Sequence, residues 1–134
     1  MITSFHNLLH AAKFFSSANT SFDWSIKDVL HYDKKLDLAV MDTSNIPKGL
    51  YVPLKAETIY PLNAGDTVTI MSFPYYTSGD LPTIRSTTVL QEKYRFDSRL
   101  FAIESKINPG ESGSPVLNDR GKVVGVCRSF ATDS

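Results

Sequence analysis

Residues 107–118 read Ile107-Asn108-Pro109-Gly110-Glu111-Ser112-Gly113-Ser114-Pro115-Val116-Leu117-Asn118. Within this stretch, Gly110–Pro115 followed by the apolar pair Val116-Leu117 has the composition of a nucleophile turn. Acyl transfer needs a nucleophile on a tight turn, with backbone N–H groups free to meet a developing oxyanion. Gly110, two residues before the serine, allows a backbone conformation that aims its N–H inward. The N–H of Ser112 itself is the second candidate donor. Gly113 leaves room beside the hydroxyl, and Pro115 leads into a strand. A Gly/Ser-rich turn before a strand is also common as plain architecture, so chemistry requires partners elsewhere in the chain.

The order of those partners narrows the choice. A G-x-S-x-G elbow with its histidine after the serine is excluded twice: position 114 is serine, and no histidine follows Ser112. His6, His10 and His31 all precede it, leaving only the orders His…Asp…Ser and Asp…His…Ser. His6 ends the strand-like stretch Ile2-Thr3-Ser4-Phe5 and is the candidate general base. His10 lies one helical turn later, and His31 sits in a polar strand near Asp33. An isolated histidine is usually a surface or structural residue. His6 and His10 share a metal-ligand spacing, but no glutamate follows His6 and no third ligand presents itself, so no metal is expected. Asp37 opens the apolar run Leu38-Ala39-Val40-Met41. A carboxylate at the mouth of a buried strand is costly unless hydrogen-bonded, and a histidine N–H would satisfy it. Asp33 and Asp42 flank the strand and are expected to face solvent.

Composition sets the outer bounds. The 134 residues suffice for one domain with its own core. Fourteen basic and fourteen acidic side chains cancel, and no dense Lys/Arg cluster argues for nucleic acid or an anionic membrane. Cys127 is alone, which excludes an internal disulfide or a multi-cysteine metal site. No stretch approaches the roughly 18 apolar residues of a membrane-spanning helix. Residues 1–15 lack the pattern of a secretory signal, so localisation stays open.

Short strand-like runs dominate the chain: Ser25–Tyr32, Leu36–Met41, Leu50–Pro53, Thr67–Ser72, Thr83–Gln91, Leu100–Glu104, Ser114–Leu117 and Lys122–Arg128. One short helix is expected around Asn7–Phe14. Many short strands with frequent turn residues predict an all-β sandwich or barrel. Phe73–Pro82, rich in Gly and Pro, is either a crossing between two barrels or a long hairpin loop.

Together these segments resemble the bacterial trypsin-like serine peptidases, the group containing HtrA-type proteases and glutamyl endopeptidases. Ile2–Leu8 resembles the family's histidine segment, and Asp33–Val40 its D-x-x-x-D-L-A-[VL] aspartate segment. Ala64–Pro74 resembles G-D-x-V-x-x-x-G-[YF]-P, Ile107–Asn118 resembles I-N-x-G-N-S-G-[GS]-P-V, and Gly121–Val126 matches the strand that follows it. His6 and Asp37 are 31 residues apart, and Asp37 and Ser112 are 75 apart, in the family's order.

The resemblance implies an all-β, chymotrypsin-like double β-barrel in a single peptidase domain, residues 1–134. Its N-terminal barrel part would cover about residues 1–72 and its C-terminal part about residues 83–134. It implies a serine endopeptidase with the triad His6, Asp37 and Ser112, an oxyanion hole of Gly110 and Ser112 N–H groups, a protein or peptide substrate, and no cofactor. Lys106, six residues before the nucleophile, would stand at the primary specificity pocket and favour an acidic substrate residue if it points inward. Arg128, Ser129 and Phe130 would line the pocket and pair with extended substrate. Two positions depart from the family pattern. Ser72 replaces a glycine, and Glu111 replaces the Asn or Asp that helps hold the oxyanion turn. The resemblance further leads one to expect strands before His6 and after Phe130, so the barrel would be incomplete at both ends unless a partner strand or oligomer completes it. The alternatives are a protease-fold binding or regulatory module without turnover, and a small β-barrel in which His6 and Ser112 lie far apart.

Overall fold

A computed structural model describes residues 1–10, 13–15, 21–23, 25–47, 49, 53–57, 62–75, 77, 79–95 and 98–128. Around position 6, β1 (Ile2–Ser4) runs into a short helix α1 (Phe5–His10), followed by β2 (Lys13–Phe15) and β3 (Ser21–Asp23), which pair with each other. The expected helix Asn7–Phe14 is thus shifted and cut short, because Lys13–Phe15 joins a two-stranded ladder. The first half of the expected strand Ser25–Tyr32 is instead a 3-10 turn, Ile26–Asp28. There Asp28 accepts a hydrogen bond from the Ser25 amide at 2.8 Å and closes the chain into a turn before β4 (Val29–Asp33). Strand β5 (Leu38–Met41) begins two residues later than the run beginning at Leu36, since Asp33 accepts from the Leu36 amide and makes a turn there.

Strand β5 is the middle of a three-stranded antiparallel sheet ordered β1-β5-β4. Its alternation turns Ala39 and Met41 inward, where they pack with Leu8 of α1, flanked by Phe5 and Val29. Phe5 also stacks on Tyr32 with centroids 5.1 Å apart, tying the start of α1 to β4.

The second sheet is larger. It comprises β6 (Thr67–Ser72), β7 (Thr83–Arg95), β8 (Ser98–Ile103), β9 (Pro115–Leu117) and β10 (Val123–Val126) in the order β10-β9-β6-β7-β8. Strand β6 pairs with β7 from Thr67↔Thr88 to Ser72↔Thr83, so Phe73–Pro82 is the connection of a hairpin. This places β6, expected in the N-terminal part, in the C-terminal sheet. The pattern in β6 is strict: Val68, Ile70 and Ser72 point inward. Val68, Ile70, Val89, Val116 and Cys127 form the core, with Leu62, Phe101, Ile103, Ile107 and Val124 packed around it. Complete burial of an aliphatic side chain such as Ile70 contributes about 1.5–3 kcal/mol. Lys55–Glu57 runs beside β10, with Val123 donating to the Lys55 carbonyl and Glu57 to that of Val123, both at 2.8 Å. Leu50–Val52 of a further expected strand lies outside the described residues, and Pro53 is not in a strand.

Candidate active site

The first half of the site is built where β1 meets α1. Asp37 closes the turn between β4 and β5 with φ +57°, a left-handed conformation that aspartate tolerates better than most residues. That conformation turns three acceptors toward the start of α1. The Asp37 carbonyl accepts from the Phe5 amide at 2.9 Å. Its Oδ1 accepts from the His6 amide at 2.8 Å, and Oδ2 lies 2.5 Å from His6 Nδ1. An ionised carboxylate only accepts, so this contact puts the imidazole proton on Nδ1 and leaves Nε2 as the basic nitrogen. The pair is reachable from solvent: the imidazole side chain is 50% exposed and the carboxylate 19%.

The second half is the turn between Asn108 and Pro115. Gly110 has φ +87° and Gly113 φ +90°, conformations that cost a side-chain-bearing residue strain. Among the described residues, the turn's own backbone bonding uses the amides of Glu111, Gly113 and Ser114. Glu111 donates to the Asn108 carbonyl (3.0 Å), Ser114 to that of Glu111 (3.0 Å), and Gly113 to that of Cys127 (2.9 Å). Those of Gly110 and Ser112 are outside that set. Cys127 returns a bond from its amide to the Ser114 carbonyl at 2.9 Å, extending the β9–β10 pairing up to the turn.

Close backbone approach joins the two halves. A Cβ on Gly113 would lie 2.8 Å from the Ser4 amide nitrogen, 3.0 Å from Thr3 Oγ1 and 3.1 Å from Asn7 Nδ2. Asn7, the residue after His6, donates from Nδ2 to the Ser112 carbonyl at 3.0 Å. The histidine segment and the serine turn, more than a hundred residues apart in sequence, therefore meet, against the expectation of a barrel that keeps them apart.

Beneath the turn lies a buried ionic network that sequence reasoning did not find as a unit. The Glu111 side chain is completely buried (0% exposed). Its Oε1 accepts from Arg85 Nη2 at 2.8 Å and from the Asn108 amide at 2.8 Å. Its Oε2 accepts from Arg85 Nε and from Ser72 Oγ, both at 3.0 Å. Four donors thus satisfy a carboxylate, two of them in the bidentate geometry of a guanidinium fork. Arg85, in first place, then the Asn108 amide and the Ser72 hydroxyl hold the Glu111 carboxyl below its usual value against the opposing effect of burial. Ser72 and Glu111, the two departures from the family pattern, are therefore hydrogen-bonded to each other. Arg85 was missed because β7 inverts the usual rule: Ile84 is exposed, whereas Arg85 lies on the inward face with Thr87 and Val89. The usable signal was strand parity counted back from Val89.

The remaining candidates are less central. The Lys106 side chain is exposed, and its carbonyl accepts from Arg85 Nη2 at 2.9 Å. Arg128 is half-buried, while Ser129 and Phe130 lie outside the described residues. Burial pushes the Cys127 thiol up to about 11, with the charge of Glu111 acting in the same direction, which makes it a neutral core residue. No helix among the described residues is long and apolar enough to cross a membrane.

Two antiparallel sheets, with an imidazole–carboxylate pair on one and a Gly-Glu-Ser-Gly turn on the other, define an all-β fold of the chymotrypsin-like double-barrel class. The chain belongs to the trypsin-like peptidase domain family, whose sequence profile matches residues 2–126. Solved structures agree on the fold. Rv3671c from M. tuberculosis H37Rv, in an inactive Ser-to-Ala form, superposes with a TM-score of 0.72 at 19% identity, over 99% of this chain and 66% of its own. The HtrA-type protease AlgW, solved with a tripeptide, gives a TM-score of 0.72 at 17% identity, over 93% of this chain and 41% of its own. A serine endoprotease from Yersinia pestis gives 0.68 at 20% identity, over 93% of this chain and 42% of its own. The chain thus spans between two fifths and two thirds of the length of these proteins. No curated protein matches it by sequence at a significant level.

Proposed function

We propose that the chain is the peptidase domain of a serine endopeptidase, acting through an acyl-enzyme with His6, Asp37 and Ser112 as its triad. One observation carries the reading: the His6–Asp37 pair and the Ser112 turn are packed together through Asn7 and Gly113. In the reaction, Ser112 Oγ attacks the substrate carbonyl while His6 Nε2 takes the hydroxyl proton. His6 then delivers that proton to the leaving amine, and water repeats the sequence to release the acid. Asp37 holds the Nδ1–H tautomer and stabilises the imidazolium, while the Gly110 and Ser112 N–H groups receive the oxyanion. The two sheets act as the two lobes of one domain, with the substrate laid between them as an extended peptide near Lys106 and the segment from Arg128 to Phe130.

A serine-directed fluorophosphonate tests this directly. The parent chain is expected to become labelled at Ser112, and Ser112→Ala to lose both the label and, on the order of a million-fold, peptide turnover. A folded parent that takes no label would instead indicate a protease-fold binding module, since only a serine beside a competent oxyanion turn reacts.

A further inference from the structure

Arg85 stands outside the triad, yet it touches both ends of the segment that leads into the nucleophile. Its Nη2 donates to the Lys106 carbonyl at 2.9 Å and to Glu111 Oε1 at 2.8 Å, while Nε donates to Glu111 Oε2 at 3.0 Å. Between these anchors, the Asn108 amide also binds Glu111 Oε1, so the loop folds back on the carboxylate that Arg85 holds. On the far side, Gly110 rests on the β6–β7 connection, where an added Cβ would come within 2.9 Å of the Phe73 carbonyl oxygen. The Tyr75 amide reaches the Pro109 carbonyl there at 3.4 Å. Arg85 sits opposite Ile70 in the β6–β7 ladder, on strands fixed by the core, and its side chain is only 24% exposed. A rigid strand therefore holds the loop by charge and geometry together.

We infer that Arg85 is a positioning residue: through Glu111 and the Lys106 carbonyl it sets the turn that aims the Gly110 and Ser112 amides. This rests on the proposed peptidase reading for its catalytic consequence, though not for its structural one. The physical reason is an asymmetry. A buried carboxylate with a bidentate partner stays ionised and accepts all four of its bonds, whereas one stripped of its cation must protonate or drag the loop toward water. The second course moves the residue immediately before Ser112, whereas the first removes the unpaired charge and lets the turn settle back. Among the described residues, the charged group acting on Glu111 is Arg85 on β7; the Cys127 thiol after β10, itself pushed up by burial and by Glu111, is neutral throughout the working range.

The test compares Arg85→Met, Arg85→Lys and the double variant Arg85→Met/Glu111→Gln with the parent chain. It reads the rate of fluorophosphonate labelling at Ser112 across pH 5 to 9 on the order of one-unit steps, and amide hydrogen exchange over residues 106–114. Arg85→Met is expected to label about 100-fold more slowly at neutral pH, the scale of losing one oxyanion donor. Its rate relative to the parent should recover as pH falls and Glu111 takes up a proton. Arg85→Lys, which keeps the charge but loses the fork, should label at a rate between those of the parent and Arg85→Met. The double variant, with no buried charge left unpaired, should regain at least about tenfold over Arg85→Met and lose the pH dependence of the ratio.

Parent-like labelling and exchange in Arg85→Met would overturn the inference. So would a double variant as slow as Arg85→Met, because that pattern belongs to a residue needed only for packing. If the parent itself takes no label, the peptidase reading fails separately and exchange decides alone. Faster exchange at 106–114 in Arg85→Met, reversed in the double variant, upholds the positioning role, and unchanged exchange ends it.

Discussion

The two halves of the site are held by opposite means. On the N-terminal sheet, the His6–Asp37 pair is half-exposed and rests on a small core of Leu8, Ala39 and Met41. Its geometry comes from short-range directional bonds: one tight turn at Asp37 and three acceptors aimed at two successive residues. On the C-terminal sheet, the Ser112 turn rests on a five-residue buried core, with a fully buried carboxylate beneath it. Here the geometry comes from burial, which makes every unsatisfied donor or acceptor costly. A solvent-reachable imidazole–carboxylate pair and a turn anchored on a buried carboxylate are suited to different tasks. Under the proposed mechanism the imidazole would exchange protons, whereas the oxyanion donors would stay fixed.

Substitutions that act on one half and spare the other sharpen this contrast. The largest effect is expected from Asp37→Asn, which keeps the shape of the side chain but favours the wrong imidazole tautomer. Turnover should fall about 10⁴-fold with little change in thermal unfolding. A loss of less than tenfold would show that the pair does not relay protons. Next comes Ile70→Ala, which opens a cavity in the C-terminal core and should cost about 2–5 kcal/mol in denaturant unfolding. Met41→Ala, in the smaller core, should lie at the lower end of that range. Equal losses would remove the asymmetry argued above. Gly113→Ala attacks the joint itself, since its Cβ would strike the Ser4 amide in a left-handed backbone. A displacement of about 1 Å between the halves is expected to cost about 100-fold in labelling of Ser112, while each sheet keeps its core.

The smallest effect concerns acid. Glu111 is held below its ordinary value of 4.5, with Arg85 as the first cause. The stability it confers is complete above that value and is lost as pH falls through the lowered native one. Hydrogen exchange in acid should therefore rise over residues 106–114 before it rises over β1 and β5. Simultaneous loosening of both regions would contradict the difference.

Much of this was legible in advance, and for physical reasons. Thr67–Ser72 is a short run rich in β-branched residues beside the turn residues Gly65-Asp66, and the structure places that strand with the expected ends. The turn at 110–113 was legible because only glycine supports its positive φ angles without strain. The start of the chain was read less well. Phe5 and Phe14 carry similar propensities, so only pairing with Ser21–Asp23 decides that Lys13–Phe15 is a strand. Arg85 was overlooked because local composition puts charge outward; strand parity with Val89 hinted at its inward place, and only a buried acceptor explains it. Ser72 and Glu111 each looked like an isolated departure. They become one feature only when β6 and the serine turn are seen in contact.

What residue identity alone determined is whatever depends on neighbours along the chain: the β-rich class, the glycine turn, the family, and the order His6, Asp37, Ser112. Tertiary structure decided the rest, namely that Asp37 faces His6, that Gly113 abuts Ser4, and that Arg85 reaches Glu111. These are contacts between segments tens of residues apart. Their energies depend on burial and backbone approach, quantities that exist only once the sheets have packed.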